Sequence, residues 1–232
     1  MAKRSTATRR RPRAKARPRP ADHDRDTEQR ILDAAHRVFL RRGSAGARTQ
    51  EIADEAGVNK ALLHYYFRSK DRLAEAVFRR AATALFPPVL SILGSDGDLE
   101  RKIERVVRHE LDVLLEHPYL PGYILAEVTH HPERVGQLLP AMTGIQLSAV
   151  VPQLLVGLER QIRERVAAGS MRPITADQLV INLLSLCVFP FAARPIVQAI
   201  FGLDDAAFAR FIERRKRELP AFFLHALRPC DR

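Results

Sequence analysis

The chain has 232 residues, 46% hydrophobic and 28% charged, which is enough apolar material for one large or two modest domains. Of the formal charge of +11, residues 1–20 contribute +9 through nine Lys or Arg and no acid, so the other 212 residues are nearly neutral. No apolar segment lies in that basic stretch to serve as a secretory leader, and neither Cys187 nor Cys230 stands in a CxxC pair, so neither a disulfide framework nor a zinc site is expected.

Residues 1–25 read as a disordered basic arm, because Arg, Pro, Ala and Thr cannot bury enough apolar surface to order themselves. Such an arm suits a non-specific phosphate or minor-groove contact, with a solubilising tail as the plainer alternative. Asp26 with Gln29 forms a capping-box signature for a first helix, with Ile31, Ala35, Val38 and Phe39 facing inward. Gly43 should end it, and Arg41 and Arg42 are placed to complement its C-terminus. Thr49 is the expected N-cap of a second helix carrying Ile52, Ala53 and Ala56 on one face. Gly57 supplies a left-handed residue for a tight turn, and Val58 fills the angle after it.

Asn59 caps a third short helix in which Leu63 and Phe67, one turn apart, pack inward. Lys60, Ala61, Leu62, His64 and Tyr65 are left on or beside its open face. Ser69 caps a fourth helix, expected from Lys70 to Phe86, with Leu73, Val77, Ala81 and Ala84 inward. Pro87-Pro88 should stop or bend it. Residues 48–73, RTQEIADEAGVNKALLHYYFRSKDRL, therefore spell a helix-turn-helix whose second helix offers its N-terminal residues to base edges while flanking donors hold phosphates.

On these residues the stretch from Asp26 to about Leu85 resembles the N-terminal domain of TetR-family transcriptional regulators. TEQRILDAAHRVFLRRG is similar to that family's first helix, and TQEIADEAGVNKALLHYYFRSKDRL to its second and third helices and the start of the fourth. Leu62 stands where the family usually has Thr or Ser, and His64 where it usually has a Tyr that touches phosphate. Leu62 suits an apolar contact such as a thymine methyl, and His64 a weaker, pH-dependent phosphate donor.

Beyond a GSDGD loop at 94–98 lies a larger helical region. Leu99 to Glu116 reads as one amphipathic helix, with Ile103, Val106, Val107, Glu110, Leu111 and Leu114 around one side. Pro118 and Pro121 mark a junction before a short helix from Tyr123 to Thr129, and His131-Pro132 opens a segment that becomes regular from Gln153 to Ala168. Thr175 with Gln178 suggests another capping box, opening the apolar run LVINLLSLCVFPFAARPIVQAIFGL. Asn182, Ser185, Pro190 and Arg194 interrupt that run before it could span a membrane. Asp204 and Asp205 begin a last helix with Phe208, Phe211, Ile212, Leu219, Phe222 and Phe223 on one face, which Pro220 should kink. These two helices hold more apolar surface than one such domain needs, and pairing with their copies in a second subunit would bury the excess.

Neither a phosphate-binding glycine loop nor a GxSxG or HExxH motif occurs, so no enzyme is indicated. His130-His131 is a poor metal pair, because adjacent helical residues point about 100° apart. No metal or cofactor is expected, and Cys187 reads as a core thiol. Prolines at 118, 121, 132, 140, 152 and 190 disturb packing and leave room for a ligand cavity, for which Tyr119, Tyr123, Met142, Phe189 and Phe191 are lining candidates and His117 or Gln146 polar contacts.

The expected architecture is all-α: a basic arm (1–25), a three-helix helix-turn-helix DNA-binding domain (26–86) and a larger helical effector-binding and dimerisation domain (87–232). The resemblance implies a cytoplasmic homodimer that binds double-stranded DNA at a palindromic operator and is released by a small-molecule effector, with repression favoured over activation. An effector-independent architectural or partner-regulated DNA-binding protein is the alternative. Lys60, Ala61, Leu62 and Tyr65 are the groove candidates, and Arg48, Thr49, His64, Tyr66 and Lys70 the backbone candidates, beside the cap Asn59.

Overall fold

The first helix begins ahead of its capping signal. In the computed structural model, which describes residues 20–130 and 135–229, α1 spans Pro20–Gly46. Residues 20–25, expected in the arm, are therefore helical, and the rest of the arm (1–19) lies outside the described residues. The Asp26 box does not form, because Gln29 donates to Asp33 one turn onward at 3.2 Å. Gly43 breaks the helical path as expected, with φ 68° and ψ 163°, a conformation open to a residue without Cβ.

The next two helices are short. α2 is Thr49–Ala56 and α3 is Lys60–Phe67. Arg48, not Thr49, is the cap residue of α2 and makes no side-chain cap, since Thr49 already lies one step inside the helix. Gly57 takes the left-handed conformation (φ 65°, ψ 36°) and returns its N–H to the end of α2. Asn59 caps α3 by accepting from the Leu62 N–H at 2.7 Å.

α4 covers Lys70–Gly94 and runs through Pro87 and Pro88 instead of stopping there. By length and hydropathy it could cross a membrane, yet nine of its residues are buried in the protein. Ile31, Val38, Phe39, Ile52, Leu63, Leu73 and Val77 form one core under α1–α4. The next residue of α4, Phe78, begins a second core that extends to Leu227. A boundary drawn at residue 86 thus falls within a helix shared by both halves.

The second half comprises α5 (Leu99–Glu116), α6 (Leu120–His130), α7 (Val135–Thr143), α8 (Leu147–Ala167), α9 (Ala176–Ala192), α10 (Arg194–Phe201) and α11 (Asp205–Ala226). No strand occurs among the described residues, which fits the all-α expectation. The long apolar run is two helices, α9 and α10, bent by 73° at Ala193. Thr175 makes no side-chain cap; the Ala176 N–H is taken instead by the Glu159 carboxylate at 2.9 Å, so a neighbouring helix replaces the local box. Pro140, Pro152, Pro190 and Pro220 are all accommodated inside helices.

Two buried polar groups stand out in the second core. Lys102 reaches back to the Leu93 carbonyl (3.1 Å) at the end of α4 and to Gln161 (3.2 Å). Glu110, only 3% exposed, has one carboxylate oxygen without a partner, and burial pushes its pKa up to about 8. Burial and the adjacent Glu110 also push the Cys187 thiol up, which leaves it unreactive and agrees with a core role.

Candidate nucleic-acid interface

α3 presents two unlike sides because its period brings Leu63 and Phe67 together beneath it. Leu63 is fully buried and Phe67 is 7% exposed, whereas Tyr65 on the other side is 68% exposed. Lys60, Ala61 and His64 are exposed beside Tyr65, and Leu62 is half-buried. Neither Lys60 nor Arg48 forms an ion pair with any described residue, so both charges are available to an anion. Asn59 is exposed, but its side-chain oxygen is committed to capping. Thr49 is half-buried at the start of α2.

Three of the backbone candidates already have internal partners. The Tyr66 hydroxyl donates to Asp24 at 2.9 Å, and partial burial together with that carboxylate holds the phenol above its ordinary range. Lys70 donates to the Ala45 carbonyl at 2.8 Å, bridging α4 to the end of α1. The His64 Nδ1 lies 2.8 Å from the Arg68 carbonyl oxygen; that oxygen can only accept, so Nδ1 carries the hydrogen. Asp24 and Arg68 were not foreseen as parts of this surface. A contact 42 positions apart leaves no local trace, and Arg68 is the one non-glycine residue with positive φ among the described residues.

The scaffold behind α3 is held by charge as well as by core. Arg37 and Arg41 donate to Glu55 of α2 at 2.8 and 2.7 Å, and Arg42 lies 3.7 Å from Glu51. The two hydrogen bonds hold the Glu55 carboxyl below its usual range. Arg41 and Arg42 thus fasten α1 to α2, where the sequence suggested they serve the end of their own helix. Each such exposed pair is worth little alone, so the packing under α2 and α3 does most of the holding.

The seven pocket candidates do not converge. Tyr123 and Met142 share a cleft of about 860 Å³ between α4, α6 and α7 that opens toward Lys70 and the end of α1 at Ser44 and Ala45. Phe189 lines a separate groove of about 440 Å³ between α9 and α11, with Arg215, Phe222 and Phe223. His117 borders a third cleft, of about 410 Å³. Tyr119 packs against both cores, Phe191 is buried against Phe208, and Gln146 is exposed before α8. Of the prolines meant to open space, Pro140, Pro152 and Pro190 sit within continuous helices and Pro121 in the first turn of α6, while Pro118 lies in the turn before α6 and Pro132 outside the described residues. Among the described residues no group of three His, Cys, Asp or Glu could hold a metal; the His130-His131 pair lies at the edge of the residues not described.

A large apolar surface remains open. Val156, Ile181, Phe189, Ile196, Ile200, Phe201 and Phe222, from α8 to α11, are between 54% and 70% exposed. Scattered exposed apolar residues are ordinary, but this many on neighbouring helices mark an interaction face.

Comparison with known proteins agrees with this geometry. Residues 31–77 match the family model described as bacterial regulatory proteins, tetR family, and residues 100–218 match the tetracyclin repressor-like C-terminal domain. The chain is 27% identical over 187 residues to the HTH-type transcriptional repressor NicS of Pseudomonas putida, covering 78% of this chain and 82% of that protein. It is also 27% identical over 193 residues to the HTH-type transcriptional regulator RutR of Escherichia coli, covering 81% and 85%. A TetR/AcrR-family regulator from Thermobifida fusca shares the fold with a TM-score of 0.56 at 17% identity, over 88% of this chain and all of that one. The exposed face of α3, the helix-turn-helix around it and the two family models that span most of the sequence make this chain a member of the TetR family of DNA-binding transcriptional regulators.

Proposed function

We propose that two copies of this chain act as a cytoplasmic repressor on a palindromic operator, each placing α3 in a major groove, and that a small-molecule effector releases them. The observation that carries this reading is the two-sidedness of α3, with Tyr65 and an unpaired Lys60 outward and Leu63 buried beneath. Lys60, Ala61, Leu62 and Tyr65 touch base edges or groove walls; Arg48, Thr49 and Lys70 hold the sugar-phosphate backbone, joined by His64 as imidazolium and by Tyr66 once its hydroxyl leaves Asp24. The open apolar face of α8–α11 supports pairing of two subunits, which sets the recognition helices about 34 Å apart, one turn of duplex.

The cleft holding Tyr123 and Met142 is the best supported seat for an effector, because its walls include both Phe78 and Lys70 at the head of the shared helix. A ligand there acts only by binding more tightly to the arrangement in which the two α3 helices no longer match the groove.

The test is selection of duplexes from a random pool, followed by gel shift with Lys60→Ala and Tyr65→Ala combined. The expected result is an enriched palindrome, bound at least about 30-fold more weakly by the double variant, since each base-edge interaction is worth about 1–3 kcal/mol. Wild-type affinity in a folded double variant would refute the placement of α3.

A further inference from the structure

A polar cluster sits where the two halves of the molecule meet. Tyr119, between α5 and α6, packs against both cores, edge-on to Phe39 of α1 (6.1 Å) and to Phe78 of α4 (5.4 Å). Its hydroxyl lies 2.5 Å from the Nδ1 of His36 on α1 and 3.1 Å from the Nδ1 of His117. The imidazoles are edge to face at 4.8 Å, and His117 is only 5% exposed. One hydroxyl thus joins a histidine of the DNA-binding half to a histidine of the C-terminal half.

The donors and acceptors available restrict the charge this cluster tolerates. A phenol has one hydrogen and accepts through its oxygen, while a neutral imidazole has one N–H and one acceptor nitrogen. With both rings neutral, one Nδ1–H donates to the Tyr119 oxygen and the Tyr119 hydrogen goes to the other Nδ1, so all three groups are satisfied. A proton added to that accepting Nδ1 leaves the hydroxyl hydrogen facing a donor. A second added proton sets two imidazolium rings against each other.

The surroundings are mixed. Arg80 of α4 and Arg37 of α1 oppose protonation, while Glu116 at the end of α5 and Asp33 of α1 favour it. Burial is the largest influence on both rings: it lowers His36, with Arg80 next, and brings His117 down to about 4, with His36 next. Asp33 and Arg80 are themselves paired at 2.6 Å across α1 and α4. The cleft of about 410 Å³ lined by Asp33, His36, Arg37, Arg80, Glu116 and His117 gives protons a route from solvent.

We propose that His36, Tyr119 and His117 form a proton-sensitive joint that positions the DNA-binding half on the C-terminal half, closed when both imidazoles are neutral and opened by acid. These are positioning residues: none lies on the α3 face. Opening frees α1 from the α5–α6 corner, so the two α3 helices of a dimer lose their fixed spacing and operator affinity drops. The joint rests on the DNA-binding reading only for that last consequence.

The experiment compares wild type, Tyr119→Phe and His36→Gln by fluorescence anisotropy on a duplex selected from a random pool by the full chain, at constant salt and at pH about 7.5 and about 5.0. Wild-type affinity should fall on acidification by about fivefold or more, the lower range of ordinary coupling. Tyr119→Phe should be weak already at neutral pH, with that acid response largely gone. His36→Gln, which keeps a hydrogen-bonding partner but takes up no proton, should retain neutral affinity and resist acid. The α3 face is the same in all three proteins, so the comparison isolates the joint. Equal acid responses in the three proteins would overturn the proposal.

Hydrogen exchange of free wild type and His36→Gln decides the matter without DNA. After correction for intrinsic rates, wild type should lose protection at residues 31–39 and 113–124 in acid, whereas His36→Gln should keep it. Unchanged wild-type protection would overturn the joint even if no duplex were ever selected, and a failed selection alone would count against the operator and not against the joint.

Discussion

The Nδ1 of His64 donates to the carbonyl of Arg68, and the Arg68 N–H returns to the carbonyl of His64 at 2.9 Å. This reciprocal pair closes the end of α3 around a residue with φ 60° and ψ −44°, a conformation L-residues avoid. With Nδ1–H occupied, neutral His64 offers a phosphate only an acceptor nitrogen. Its imidazolium form alone can hold Arg68 and donate outward together.

Replacing Arg68 by Gly should relieve the backbone. A left-handed residue costs about 1–2 kcal/mol, and the extra chain entropy of Gly takes back about 0.5–1, so a net gain of up to about 1.5 kcal/mol is expected. Thermal unfolding should show a midpoint raised by a few degrees; a clear drop would mean the Arg68 side chain matters more than its backbone.

Stability should fall with rising pH on account of Glu110. The unfolded carboxyl ionises near its ordinary value of 4.5, but the folded one keeps its proton to about 8. The folded state therefore binds more protons between those values, and stability declines across that window by up to a few kcal/mol. Glu110→Gln should flatten the decline and be the more stable protein at pH about 8 in urea titrations. Parallel curves for the two proteins would disprove the buried-acid account.

Phe189→Glu with Phe222→Glu should convert a dimer to monomers, because two charges on a subunit seam are costly to desolvate. Sedimentation velocity reads the outcome directly. A dimer that persists unchanged would move the seam elsewhere on the α8–α11 surface.

Deleting residues 1–20 removes nine positive charges. If the arm meets phosphates, the slope of log affinity against log salt should flatten, by at most about 8. An unaltered slope would leave the arm a solubiliser.

The helix-turn-helix could be read in advance because its determinants are local. Gly57, Asn59 and Ser69 each act on neighbours within a few residues, and their caps or turn stand where their chemistry puts them. Tertiary partners overrode local signals elsewhere: Glu159 displaced the Thr175 box, and α4 continued through two prolines while packing on α5 and α7. The exposed face of α3 was legible as a pattern of outward residues, whereas the partners of Tyr66 and Lys70 were not, since Asp24 and Ala45 are brought to them only by folding. The dispersed pocket set had the same defect. Proline counts say where a helix is stressed, not where neighbouring helices part.

Val77 and Phe78 are consecutive, yet they belong to different cores. A chimera made by joining the DNA reader of one such protein to the sensor of another therefore has no clean seam within α4. Any cut before Phe78 strips the sensor of its first rib, and any cut after it exports foreign side chains into the host's interior. Swaps should succeed only when the whole of α4 and the surfaces that grip it on both sides are exchanged or redesigned together.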